Sequence, residues 1–398
     1  MRWATKPLAE LADFRLGKML DEKKNRGEPL PYLANVNVRW GEFDLDGLRE
    51  MRFEHDEMDQ YGLKYGDIVM CEGGEPGRCA LWKEAMPGMM IQKALHRIRP
   101  HQSLDNRFLY YSFLHLGRRG AFTPLFTGAT IKHLPKEKLA KVEISFPPLA
   151  DQRRIADILA AYDDLIENNR RRMALLEESA RLLYREWFVR LRFPGYEHTR
   201  IVDGVPEGWE RKTLNEITSF LKRGITPRYD EDAEGLVINQ KCIRDGRVNI
   251  ELARHQSKEV KPERLLQIGD VLINSTGEGT LGRVAQVKVP LSNSTVDTHV
   301  TIVRPEANFA HHYFGLAVME WEPRLSTMGK GATNQTELSP ATIGNVKIVM
   351  PSHTLLEQFE LFVAPLYEQV TNLIAQNQKL RAARDLLLPR LMSGEIAV

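Results

Sequence analysis

Two hydrophobic periods alternate along this chain. Over residues 1–148, apolar side chains recur in short alternating runs such as Asp67–Met70 (DIVM), Ala94–Arg99 (ALHRIR) and Lys141–Phe146 (KVEISF), separated by Gly, Pro, Asn and Asp. Alternation bounded by turn-forming residues predicts an α+β globule rich in antiparallel strands. After Pro147-Pro148 the period lengthens. Leu159, Tyr162, Ile166, Asn169, Met173, Leu176, Ala180 and Leu183 recur by three and four with no proline before Pro194, which predicts a long helix over 149–192. Asp151 stands in its first turn, where a carboxylate offsets the helix dipole. Residues 193–207 read as a linker. Alternating runs return over 208–351 (DVLIN, HVTIVRP, NVKIVM), and a second seam, Leu366, Val370, Leu373, Asn377, Leu380 and Leu387, marks a helix within 352–398. The seams are narrow and their flanks charged (Arg170–Arg172, Glu177, Glu178), which favours pairing of the two helices over separate packing of each on its own globule. Pro365 is expected to kink or restart the second helix.

The chain repeats itself once. Trp3, Lys6, Leu8, Glu10 and Phe14 return as Trp209, Lys212, Leu214, Glu216 and Phe220, a shift of 206 positions. In the same order, Val38–Leu45 matches Ile243–Ile250, LKYGDIVM matches LQIGDVLI, Gly128-Ala129-Thr130 matches Gly331-Ala332-Thr333, and KVEISFP matches VKIVMP. Five ordered matches in one register establish a duplication. The expected architecture is two pseudo-repeated α/β globules separated by two long helices that pair as an antiparallel coiled coil. A helix of about 40 residues is about 60 Å long at 1.5 Å per residue. Such a pair predicts a dumbbell with pseudo-twofold symmetry, a shape suited to reading two separated sites on one polymer.

Composition narrows the function. The chain has 398 residues, 42% hydrophobic and 27% charged, with 55 Lys and Arg against 53 Asp and Glu. The resulting net charge of +2 excludes a histone-like polycation and an acidic disordered chain but leaves local basic patches open. No stretch approaches the roughly 20 apolar residues of a membrane helix, and the charged start lacks a secretory apolar region. Cys71, Cys79 and Cys242 have neither disulfide-framework nor zinc spacing. A soluble, reduced, cytoplasmic protein is expected.

Catalytic patterns fall short. Gly277–Arg283 has phosphate-loop glycine spacing but lacks the Lys and the Ser/Thr. Asp203 with Glu210-Arg211-Lys212 imitates a metal nuclease, yet the first repeat has Ala4-Thr5-Lys6 in its place. Phe146-Pro147-Pro148-Leu149 lacks the polar and aromatic ends of an amino-methyltransferase motif, and His311-His312 has no third metal ligand at useful spacing. No catalytic residue and no metal site are assigned.

The recurring loops offer recognition chemistry instead. A Gly-rich loop ending in Arg (Gly73 to Arg78; Thr276 to Arg283) recurs with a Gly-Ala-Thr loop (Thr130, Lys132, His133; Thr333, Asn334, Gln335). A polar turn joins them (Asn35, Asn37; Asn239, Gln240, Lys241). Arg and Lys suit guanine, Asn and Gln suit adenine, and Thr and Ala meet a thymine methyl. Differing side chains on matching loops predict two globules reading different sequences; ordinary hydrophilic turns are the alternative.

The order of GDIVM/GDVLI, GAT, a strand ending at Pro147 or Pro351, and Asp151-Gln152 or Glu357-Gln358 opening a long helix resembles the specificity subunit of type I restriction–modification enzymes. The resemblance covers almost the whole chain, including ADQRRIADILAAYDDLIENNRRRMALLEESARLLYREWF and LLEQFELFVAPLYEQVTNLIAQNQKLRAARDLLLPRLMSGEI. It implies two target-recognition domains (1–148 and 208–351), each binding half of an interrupted double-stranded DNA site, and no catalysis by this chain. It implies two modification subunits that dock along the helices, bind S-adenosylmethionine and methylate adenine, and two restriction subunits with ATP- and Mg-dependent translocase and nuclease activity. A scaffold without base readout and a fragment of a fused restriction–methylation enzyme are the alternatives. The latter is opposed by the absence of methylase motifs. At net +2, tight DNA binding is expected to depend on the modification subunits.

Overall fold

The short alternating runs form strands, and the two repeats lay them out alike. The computed structural model describes residues 3–21, 25–307, 309–331 and 336–398. These belong to two compact units, one of residues 1–168 with 377–398, the other of residues 169–376. In the first unit an antiparallel sheet has the order Ala12–Leu16, Leu95–Pro100, Ile68–Cys71, Cys79–Leu81. A second sheet places Glu28–Leu33 antiparallel to Arg49–Phe53 and parallel to Met90–Ile91. Strand Ala4–Pro7 pairs with Glu143–Phe146 and ties the start of the globule to its end. Helix Asn106–Arg118 is capped by the Asp105 carboxylate, which accepts from the amides of Arg107 and Phe108, and it buries Phe108, Leu109 and Phe113.

The second unit repeats this order with Thr218–Arg223, Val300–Pro305, Val271–Asn274 and Val284–Gln286. Its second sheet again has one antiparallel and one parallel pairing, of Gly235–Ile238 with Arg254–Gln256 and with Ser294–Val296. Glu210–Thr213 closes on Lys347–Met350 as in the first repeat. Strand order and sense coincide in these three sheets, so the duplication extends to topology.

The central helix spans Leu149–Tyr184 and ends in a π-helical turn, Arg185–Val189. The second long helix is His353–Met392. Within each unit the two run antiparallel. In the first, the Asn377 side chain donates to the Ile166 carbonyl at 3.4 Å, Arg384 pairs with Asp163, and Leu159 shares a core with Leu388 and Leu391. In the second, Met173 packs with Val370 and Leu373, and the Tyr184 and Phe359 rings are 6.4 Å apart. Leu159, Ile166, Asn169, Met173, Val370, Leu373 and Asn377 are buried, while Tyr162, Leu176, Leu183, Leu366 and Leu380 are half-buried. Pairing and packing on the globule both occur. Ile155, Ala156 and Leu159 join the first globule's core, and Tyr184, Trp187, Phe188, Phe359 and Val363 join the second's.

Two expectations change, and one matched pair of residues diverges. Pro365 does not restart the second helix, which is continuous from His353 to Met392. The proline is exposed, the Leu361 residue whose carbonyl it leaves unbonded is 76% exposed, and Phe359, Val363 and Tyr367 anchor the opposite face. Glu177 is no solvated flank. It is buried, accepts from Lys288 at 2.9 Å and Arg247 at 2.8 Å, and burial, which pushes its carboxyl up, is outweighed by these cations, so it titrates below the ordinary range. Gln152 and Gln358, matched in sequence, differ in setting. Gln152 is buried, with hydrogen bonds to the Pro147 carbonyl (2.9 Å) and the Asp105 amide (2.9 Å), whereas Gln358 is exposed. Among the described residues, no helix is long and apolar enough to cross a membrane.

Phe359 is fully buried among Tyr184, Trp187, Phe188 and Tyr313. Phe359→Ala should therefore cost about 3–5 kcal/mol of stability in the second unit. Leu361→Ala, two residues on and 76% exposed, should leave the denaturant midpoint unchanged.

Candidate nucleic-acid interface

In the first globule one backbone and one side-chain junction bring the three candidate loops together, and equivalent bonds recur in the second. The Leu134 amide donates to the Glu72 carbonyl at 2.8 Å, which ties the Gly-Ala-Thr loop of the first globule beside its Gly-rich loop, and the Leu338 amide donates to the Ser275 carbonyl at 2.9 Å in the second. The polar turn is held from the other side. The Asn35 carbonyl accepts from Arg78 Nη2 at 2.9 Å, and the equivalent Gln240 carbonyl accepts from the buried Asn274 side chain at 3.0 Å. Different side chains thus anchor the same turn.

In the first globule several candidates have internal partners. Arg78 is 9% exposed and ion-paired to Glu75 at 2.8 Å as well as bonded to Asn35. Asn37 accepts from the Ala34 amide at 3.0 Å and donates to the Asp44 carbonyl at 3.0 Å. The Asn35 amide group lies against the loop, 3.4 Å from the Gly73 carbonyl, and at Gly74, with φ of 82°, any Cβ would collide with it. Gly73 bridges to His133, whose Nδ1 lies 3.2 Å from Glu72. Thr130 and Lys132 are exposed. With Trp40, Pro76, Phe126 and Ile131 they line an open cleft of about 560 Å³.

In the second globule Asn239 caps its own turn by accepting from the Lys241 amide at 2.9 Å, and the Lys241 side chain is exposed. The Gln240 side chain reaches the Gly-rich loop at Gly277, and Thr276 Oγ1 lies 2.6 Å from His299 Nδ1. Arg283 is half-exposed, with one guanidinium nitrogen on the Gly279 carbonyl at 2.9 Å. Thr333, Asn334 and Gln335 lie outside the described residues. The Gly277–Arg283 loop is no phosphate cradle: the amides of Thr280, Leu281, Gly282 and Arg283 donate to carbonyls of the loop and the preceding strand. Among the described residues, no three His, Cys, Asp or Glu side chains are grouped to hold a metal.

Sequence reasoning passed over Trp40 and His299. The signal for Trp40 was present, since it stands opposite Asp245 in otherwise matching segments. His299 follows the turn made by Asp297, whose carboxylate accepts its amide, and only the fold brings it to Thr276.

Residues 1–178, the first globule with most of the central helix, match the family described as the type I restriction modification DNA specificity domain. The chain is 26% identical to the specificity subunit of the type I restriction enzyme MjaIX of Methanocaldococcus jannaschii, an alignment covering 100% of this chain and 94% of that protein. It is 24% identical to the EcoBI specificity subunit of Escherichia coli, covering 78% of this chain and 70% of that one. The crystal structure of the type I system S subunit from M. genitalium shares the fold, with a TM-score of 0.52 at 19% identity over 98% of this chain and 96% of that one. Residues 1–178 thus match a type I restriction modification DNA specificity domain, and with its duplicated globules and two long helices the chain is similar along its whole length to specificity subunits of type I restriction–modification systems.

Proposed function

We propose that each globule reads one half of an interrupted, double-stranded DNA site, and that the helices dock the modification subunits and set the distance between half-sites. The observation that carries this reading is the pair of equivalent loop junctions, alike in backbone and different in side chain. Direct readout requires such a pairing of fixed frame and variable contacts. Each unit also exposes apolar side chains from both long helices. In the first these are Ile158, Leu165 and Leu386, and in the second Leu175, Leu182, Leu361 and Phe362. Exposed apolar positions on helices already paired with each other favour a further partner in each unit. That matches two modification subunits, which would carry S-adenosylmethionine, with two restriction subunits carrying ATP and Mg completing the enzyme in the cytoplasm. With a net charge of +2, DNA affinity depends on those subunits.

The test is exchange of residues 1–148 for the corresponding domain of a relative, read by mapping methylated adenines in cells that express the partner subunits. One half of the site should change and the other persist; a change in both halves refutes the two-reader model. The two loop arginines should part company. Arg78→Ala should destabilise the first unit by about 1–3 kcal/mol, because Asn35 loses its anchor. Arg283→Ala should leave melting unchanged and, if it contacts a guanine, relax the second half-site by about 1–3 kcal/mol. For spacing, one heptad inserted in each helix, within 170–176 and 368–374, adds about 10 Å while keeping the seam. The mapped spacer should lengthen by about three base pairs at 3.4 Å each.

A further inference from the structure

We infer that the first globule recognises thymine through its 5-methyl group, with Ile131 and the indole of Trp40 as the contact, whereas the second globule reads by polar groups. The inference rests on the half-site reading above and names the chemistry of one half. In the first globule the polar groups expected to read bases are largely occupied: Arg78 by Asn35 and Glu75, and Asn37 by Ala34 and Asp44. What the cleft offers beside Glu75, Thr130 and Lys132 is apolar. Trp40 is 42% exposed and Ile131 is 65% exposed, with Pro76 and Phe126 beside them.

Both side chains are held in place. Ile131 sits on a tight hairpin in which Thr127 and His133 exchange two backbone hydrogen bonds of 2.8 Å. The turn needs Gly128, at φ of 94°, because a Cβ there would stand 2.1 Å from the Ile131 carbonyl oxygen. Trp40 lies against helix Asn106–Arg118 at Gly117, where a Cβ would come within 2.3 Å of the indole. The indole is therefore a wall and not a projecting wedge, which disfavours insertion between base pairs. Lys132, next to Ile131, is exposed and has no ion-pair partner among the described residues, so a cation for the phosphate backbone stands beside the apolar tip.

At the matching positions the second repeat has Asp245 for Trp40 and Asn334 for Ile131. Neither apolar side chain is matched in the sequence of the second repeat. In the major groove of unmodified DNA the one apolar mark on a base edge is the thymine methyl.

The experiment uses the complex with its modification subunits and duplexes carrying the mapped site, with the first half-site assigned by the domain exchange above. Thymines are replaced singly by deoxyuridine, which removes only the methyl group, and affinity is read by competition. At least one replacement in the first half-site should weaken binding about fourfold, the ratio equivalent to the ~0.8 kcal/mol of one buried methyl. Ile131→Ala should bind the thymine and deoxyuridine duplexes alike while keeping its response to changes in the second half-site. Trp40→Phe, which retains a ring on Gly117, should narrow the difference without removing it. The inference is overturned by a first half-site that contains no A·T pair, by replacements without effect, or by an Ile131→Ala variant with the full thymine preference. Those outcomes leave the two-reader model standing. A domain exchange that alters both halves defeats that model instead.

Discussion

Each long helix has to satisfy two surfaces at once, and the rest of the architecture follows from that constraint. Along part of its length it pairs with the other helix, and along the rest it lies on a globule. A seam of two residues per heptad suffices for the first task, but the second needs a broader apolar face. The chain meets the second demand by enlarging the seam near each globule. Ile155 and Ala156 widen it at one end of the central helix, and Trp187 and Phe188 at the other, the latter pair on the π-helical turn. Glu177 gives direction to this packing. A carboxylate buried on the helix has to meet cations, and Lys288 and Arg247 come from the second globule alone. The face the helix turns toward that globule is thereby specified.

The scaffold was legible in the sequence because repetition and periodicity average over many residues. Five ordered matches predicted a duplicated topology, and the seams located both helices. Features decided by one distant contact were not legible. Arg78 and Arg283 end equivalent loops, yet only Arg78 turns inward, to a carbonyl 43 positions away. Nothing local distinguishes an arginine that holds a turn from one that faces solvent. Pro365 was misjudged for a related reason. The cost of a helical proline depends on whether the carbonyl it orphans is buried, and Leu361 stands in solvent.

The loop junctions show how one frame can carry different side chains. The bonds from Leu134 to Glu72 and from Leu338 to Ser275 are backbone to backbone, so they persist whatever the side chains. The anchor of the polar turn has already been exchanged, Arg78 in one repeat and Asn274 in the other. Trp40 opposite Asp245 extends the divergence to the cleft of the first globule. Frame and contact surface therefore vary independently, and a globule can acquire a new surface without rebuilding its sheets.

The composition of the two units has a consequence for biosynthesis. The second unit is contiguous, residues 169–376, whereas the first is completed only by residues 377–398. Leu388, Leu391 and Met392 share a core with Phe108, Ile155 and Leu159. At about 5–20 residues per second, a ribosome takes about 10–40 s to travel between those two segments. For that interval the first globule waits with an uncovered apolar face on its helix, and the second unit has all its own residues before the first does. The order of completion on the ribosome is thus the reverse of the order of synthesis, and the early intermediate is the state in which a chaperone would find this chain.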